Sequence, residues 1–173
     1  DPKRKFLIVV PTSLVYNWQN EWEKFAPHIH YEVIHETKEK RQKKLEHLED
    51  CQVVITSYGT LRNDIDFYRD VCFDTCLIDE AQSIKNVGSE TTMAVKQVVA
   101  NTKFALTGTP IENSVLELWS IFDYLMPGFL GDLPSFKERY QIKNLEESAE
   151  ALDELRSLIS PFILRRRKCD VLK

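Results

Sequence analysis

The chain has 173 residues, 43% of them hydrophobic and 29% charged, with a formal net charge of −4. That is enough chain for one domain with a real core, and the net sign argues against a protein that coats nucleic acid without specificity, though not against a local basic stripe such as 38–44 or 165–168. No apolar run approaches the roughly 20 residues that span a membrane, and the start, DPKRKFLIVV, reads as charges followed by a short apolar run rather than a secretory leader.

In chain order, the five apolar residues Phe6 to Val10 read as a buried strand. Ser13 reads as the N-cap of a helix that carries Leu14, Trp18, Trp22 and Phe25 on one face, with both tryptophans assigned to the core. Residues 29–34 alternate like a strand, and 37–50 form a charged helix whose few apolar contacts are Leu45 and Leu48. A strand follows around 53–56, then a short helix or irregular link over 60–71. Another strand covers 73–79, a helix 89–99, and a strand ending in a turn 103–110. From Ser114 to Met126 the signal is helical, with Leu116, Trp119, Ile121, Phe122 and Leu125. Residues 127–136, with two glycines and two prolines, read as a loop. A final helix over 146–160 is ended by Pro161.

Strands that alternate with helices in this way imply an α/β fold with a parallel sheet covered on both faces and right-handed crossovers. In such sheets ligands bind at the carboxyl ends of the strands. Four polar clusters fall there: Pro11-Thr12-Ser13, Thr56-Ser57-Tyr58, Asp79-Glu80-Ala81-Gln82 and Thr107-Gly108-Thr109-Pro110. The four cysteines, Cys51, Cys72, Cys76 and Cys169, match no zinc spacing and read as reduced thiols of a cytosolic protein. The four histidines, His28, His30, His35 and His47, form no metal-ligand pattern.

Each cluster has a plain reading and a chemical one. Asp79-Glu80 could simply decorate a helix start, where the dipole favours acids. Placed directly behind Cys76-Leu77-Ile78, the same pair suits phosphoryl transfer, with one acid on a magnesium ion and the next on the attacking water. Thr107-Gly108-Thr109-Pro110 is good turn chemistry, and it could also be a relay of hydroxyls that touches the acids. The clusters at 11–13 and 56–58 are capped helix starts, or else backbone amides and hydroxyls facing a nucleic-acid phosphate. The residues alone leave these alternatives open.

Taken together, LIVVPTSLVYNWQNEWEKF, VVITSYGTL, CLIDEAQSIKN, FALTGTPIENSVLELWSIFDYLMPGFLG and PFILRRRKCDVL resemble the first RecA-like lobe of a Swi/Snf-family, superfamily-two helicase-like ATPase, over nearly the whole chain. The wording around 107–131 resembles the bacterial branch more than the eukaryotic one. The resemblance implies a three-layer RecA-like, P-loop NTPase-type parallel sheet and a motor that uses ATP and Mg2+ and moves on double-stranded DNA. It implies that Asp79 serves the magnesium site and Glu80 is the catalytic carboxylate. Gln82 would contact the nucleotide or the coupling loop, and Thr107, Gly108 and Thr109 would link hydrolysis to movement. Pro11, Thr12, Ser13, Thr56, Ser57 and Tyr58 would face the DNA backbone, and Arg165, Arg166 and Arg167 would lie toward a second lobe.

One departure is large. The family's phosphate loop, G-x-x-x-x-G-K-[ST], does not occur: the glycines are Gly59, Gly88, Gly108, Gly128 and Gly131, and none is followed by lysine. The chain is therefore expected to be a partial lobe, truncated before its first strand, with 127–173 a helical extension leading toward an absent second lobe. As an isolated piece it is expected to be inactive. In this family the strand leading into the phosphate loop lies near those ending in Asp79 and Thr107. Without it, self-association is expected along 104–106 or at Leu77 and Ile78. The expected location is the cytoplasm, on the nucleoid in a bacterium, or the nucleus in a eukaryote. The competing reading is a catalytically silent α/β interaction module; an unrelated acid-pair phosphatase or receiver domain would leave the 106–113 and 164–172 motifs without a role.

Overall fold

The computed structural model describes residues 4–108, 115–140 and 145–166. Among them, strands and helices alternate: β1 (Phe6–Val10), α1 (Val15–Phe25), β2 (Tyr31–Ile34), α2 (Lys38–Leu45), β3 (Val53–Ser57), α3 (Tyr58–Asn63), α4 (Ile65–Tyr68), β4 (Cys72–Ile78), α5 (Glu90–Gln97), β5 (Val99–Ala105), α6 (Val115–Leu125), α7 (Leu133–Tyr140) and α8 (Leu145–Ile159). The strands form one sheet in the order β2-β3-β1-β4-β5, and every neighbouring pair is parallel. None of the described helices is long and apolar enough to cross a membrane.

The run FLIVV explains why β1 sits at the centre. Successive side chains point to opposite faces of a sheet, so an unbroken apolar run needs cover on both. Leu7 and Val9 join Val54, Cys76, Ile78, Leu61, Val95, Ile121 and Tyr124 on one face, under α3, α5 and α6. Ile8 and Val10 join Val53, Ile55, Val15, Trp18 and Trp22 on the other, under α1. The expected three-layer architecture is thus present.

Several boundaries differ from those expected. Ser13 does not cap α1: a short 3-10 turn over Thr12–Leu14 precedes the helix, and its N-cap position is Leu14 with no side-chain hydrogen bond. Phe25 is 70% exposed and not part of the core face, because α1 ends there. The charged helix stops at Leu45, with Leu48 buried by a separate 3-10 turn over Leu48–Asp50. β5 begins at Val99 rather than Lys103. Its polar, alternating residues hid the strand, since it borders the sheet and one of its sides meets no neighbour among the described residues.

Residues 4–130 belong to one compact unit and 131–166 to a second. In the second, α7 forms inside the stretch read as a loop. Asp132 starts it by accepting the Ser135 backbone N–H at 2.9 Å, and Gly131 makes the entry turn with φ of +73°. Pro134 does not break the helix, because a first-turn N–H has no intrahelical acceptor to lose. The Phe136 and Tyr140 rings make a tilted contact, 4.7 Å between centroids, and Leu155 and Ile159 of α8 are buried.

Two of the basic residues at 38–44 are internal struts. Lys44 Nζ reaches Glu32, Glu36 and the Val33 carbonyl. Arg41 binds Asp64 twice, Nε to Oδ2 at 2.6 Å and a terminal nitrogen to Oδ1 at 3.0 Å, and donates to the Glu36 carbonyl at 2.9 Å. Both side chains are largely buried, so removing one strands the other's charge. Arg41→Ala should cost about 3 kcal/mol of unfolding free energy in urea titration. A loss under about 1 kcal/mol would match a solvent-screened surface pair instead.

Candidate active site

Since every pairing is parallel, the carboxyl ends of all five strands lie at one edge. The clusters at 11–13, 56–58, 79–82 and 107–108 follow β1, β3, β4 and β5 and meet there, as expected.

Asp79 is fixed at four points. Its backbone N–H donates to the Val9 carbonyl at 2.9 Å, and its carbonyl accepts the Tyr58 hydroxyl at 2.6 Å. Its carboxylate accepts the Glu80 N–H at Oδ1, 2.9 Å, and the Trp18 indole N–H at Oδ2, 2.8 Å. Burial, and then the nearby Asp79 charge, push the Tyr58 hydroxyl well above the ordinary tyrosine range, so it stays a donor.

Glu80 adopts φ 51° and ψ 56°, the one positive φ outside glycine among the described residues. An L side chain in this left-handed region costs about 1–3 kcal/mol and persists only where surroundings impose it, commonly at functional sites. Here it turns the chain from β4 into a 3-10 turn at Ala81–Ile84, whose Ala81 and Ile84 are buried. The Gln82 amide then bridges two clusters. Its Nε2 donates to Glu80 Oε2 at 2.6 Å, and its Oε1 accepts the Thr107 hydroxyl at 3.0 Å. The β4–β5 ladder continues underneath, with Leu106 N–H on the Ile78 carbonyl and Ala81 N–H on the Leu106 carbonyl, both at 2.8 Å. The two adjacent carboxylates are therefore held by different donors, Asp79 by an indole and a backbone amide, Glu80 by a side-chain amide.

Among the described residues no three His, Cys, Asp or Glu side chains converge as a metal cluster. Asp79 and Glu80 fit Mg2+ in the way that ion is commonly held, through one or two carboxylates with water and substrate phosphate completing the shell. The phosphate-loop pattern G-x-x-x-x-G-K-[ST] does not occur in these 173 residues.

The expected DNA face divides in two. Thr12 and Ser13 are exposed and Pro11 half-buried. Thr56, Ser57 and Tyr58 are at most 7% exposed. Thr56 donates to the Ile34 carbonyl, Ser57 to Thr60 Oγ1 while capping α3, and Tyr58 to Asp79. These three hydroxyls have partners inside the protein, so what this segment offers to a ligand is its backbone. Gly108, Arg165 and Arg166 are exposed; Thr109 and Arg167 lie outside the described residues.

Trp18 is the contact of Asp79 that the spacing argument missed. Its position on the apolar face of α1 is real, but an indole also carries a donor that seeks a partner when covered. Trp22, one turn on, shows the plain alternative, with its buried Nε1 unpaired.

The profile of the SNF2-related domain family matches residues 1–173. An ATP-dependent helicase of Mycoplasma genitalium is 42% identical, the match covering 96% of this chain and 16% of that protein. The TATA-binding protein-associated factor MOT1 of Saccharomyces cerevisiae is 40% identical over 96% of this chain and 10% of its own length. These identities do not separate the bacterial from the eukaryotic branch. The Sulfolobus solfataricus SWI2/SNF2 ATPase core, solved in complex with double-stranded DNA, superposes with a TM-score of 0.85 at 40% identity, covering 96% of this chain and 34% of that one. The chain thus spans about a third of that core and a sixth or less of the curated relatives. With the acid turn, the Gln82 bridge and the RecA-like sheet in place, the full-length family match identifies this chain as a member of the SNF2-related domain family.

Proposed function

We propose that this chain is the acid-bearing lobe of an ATP-driven motor that moves on double-stranded DNA. The observation that carries the reading is the hydrogen-bonded line Glu80–Gln82–Thr107, which ties the candidate catalytic acid to the strand end of its neighbour. Magnesium, when bound, would neutralise charge developing on the transferred phosphate. Asp79 would hold it through water, with a carboxylate that is already oriented. Glu80 would accept the proton of the attacking water. Gln82 keeps the Glu80 carboxylate in place, and Thr107, with Gly108 and Thr109, would register the change in its charge and pass it to the chain beyond β5. Thr12 and Ser13, at an exposed turn before α1, would contact DNA phosphates. At 56–58 that role falls to backbone amides. Arg165, Arg166 and Arg167 would face a second lobe, 127–173 would lead toward it, and the protein would work on the nucleoid or in the nucleus.

The phosphate loop would have to come from elsewhere in the motor. By itself the chain should neither bind ATP tightly nor hydrolyse it, and its exposed β5 border should pair with a second copy. Duplex DNA should stimulate hydrolysis by the intact motor, and Asp79→Ala should abolish both basal and stimulated rates. In the isolated chain, DNA added at low salt should shift the amide resonances of Thr12 and Ser13 foremost, an effect lost steeply as salt rises. An intact protein without hydrolysis would favour the silent interaction module. Shifts centred on 38–44 would move the DNA face to α2.

A further inference from the structure

Trp18 stands one turn into α1 and is half-buried among the side chains that pack on β1 and β3. Its Nε1 lies 2.8 Å from Asp79 Oδ2. The other Asp79 oxygen takes the Glu80 N–H at 2.9 Å. An aspartate side chain has two torsions, and donors on both oxygens, from two different elements, leave it one orientation. The indole is suited to this because it is a neutral donor that cannot accept. It aims the carboxylate without cancelling its charge, as a lysine or arginine would. Each oxygen keeps a lone pair for the water shell of a cation. The rest of the ring is anchored by apolar packing, so the donor itself is rigidly mounted.

We infer that Trp18 is a positioning residue that sets the orientation of Asp79 toward the bound metal through its indole N–H. This rests on the reading of Asp79 as the magnesium-site acid. Groups that orient a metal-binding side chain commonly change metal affinity or activity 10–100-fold when removed. The interaction here is one neutral hydrogen bond to an acid acting through water, so the lower end of that range applies.

The test is Trp18→Phe in the intact motor, which keeps the ring and removes the N–H. The Mg2+ concentration giving half-maximal hydrolysis should rise about tenfold. Mn2+ binding in the presence of ADP, followed by the paramagnetic resonance signal of free Mn2+, should weaken to a similar degree. A residue that only packs would lower the melting temperature and leave both metal curves where they were, and that outcome overturns the inference. Should the variant not fold, the unmutated protein decides: adding Mg2+ and ADP should move the Trp18 indole resonance, and no movement overturns the inference. Glu80→Gln separates the two readings. If that variant still hydrolyses ATP, the assignment of the acid site fails. If it is inactive while Trp18→Phe leaves the metal curves unmoved, only the role of Trp18 fails.

Discussion

Replacing Glu80 by glutamine in the intact motor should lower ATP hydrolysis at least about a hundredfold, the usual scale for removing a general base, while duplex binding persists. The substitution keeps the side chain's size and its hydrogen bonding to Gln82 but removes the basic oxygen. Steady-state hydrolysis with saturating DNA measures the first effect, and a salt titration of duplex binding the second. Retained turnover would remove Glu80 from the chemistry. The same position makes an unusual demand on stability. At φ 51° a Cβ costs about 1–2 kcal/mol, and glycine is free of that cost. Glu80→Gly should therefore be more stable than Glu80→Ala by about 1 kcal/mol, although glycine has the more flexible unfolded chain. Urea unfolding of the two variants checks the order, and alanine proving the more stable would contradict the left-handed backbone.

The isolated chain should self-associate through β5. The structure narrows where this can occur. Leu77 and Ile78 pair with β5 on one side, and β4 pairs with β1 on the other, so the β4 alternative is closed. β5 meets β4 alone among the described residues, and it and the residue behind it expose Val99, Phe104 and Leu106 at 51%, 52% and 42%. An exposed strand border with apolar side chains is a template for another strand. The resemblance places the phosphate-loop strand near β4 and β5, and beyond β5 is the open position. The intact motor should then be free of this association. Sedimentation of the isolated chain at high concentration should show dimers or larger species. Phe104→Lys, which puts a charge on the border, should weaken association about tenfold or more, equivalent to roughly 1.4 kcal/mol. A clean monomer throughout the concentration range would refute the proposal.

The sheet was legible because its strands are short apolar runs separated by amphipathic helices, and parallel pairing follows from that alternation. The acid turn was legible because Asp79 and Glu80 directly follow such a run. β5 and α7 were less so. A bordering strand has little need of an apolar pattern, and Pro134 signals a break unless Asp132 is recognised as the start of a helix. The side-chain partners were beyond reach. Asp79 Oδ2 and Trp18 Nε1 are 61 positions apart in the chain, and no local spacing announces that they meet. Burial of the 56–58 hydroxyls was hidden too, because Thr-Ser-Tyr is equally good as a polar surface and as three internal struts.

The central place of β1 sets the order in which the protein can assemble. Phe6 lies opposite Val53 on one side and Thr75 on the other. The most apolar strand is thus made before either of its neighbours. At about 5–20 residues per second, the ribosome takes on the order of ten seconds to deliver β4 after β1. β2 comes first but joins the sheet through β3 rather than through β1, so within this chain FLIVV gains its first strand partner at β3 and its second only at β4. Parallel sheets built on such distant partners fold slowly, since each pairing must first close a long loop. The nascent chain should therefore depend on being shielded from its neighbours on the polysome until Ile78 has emerged.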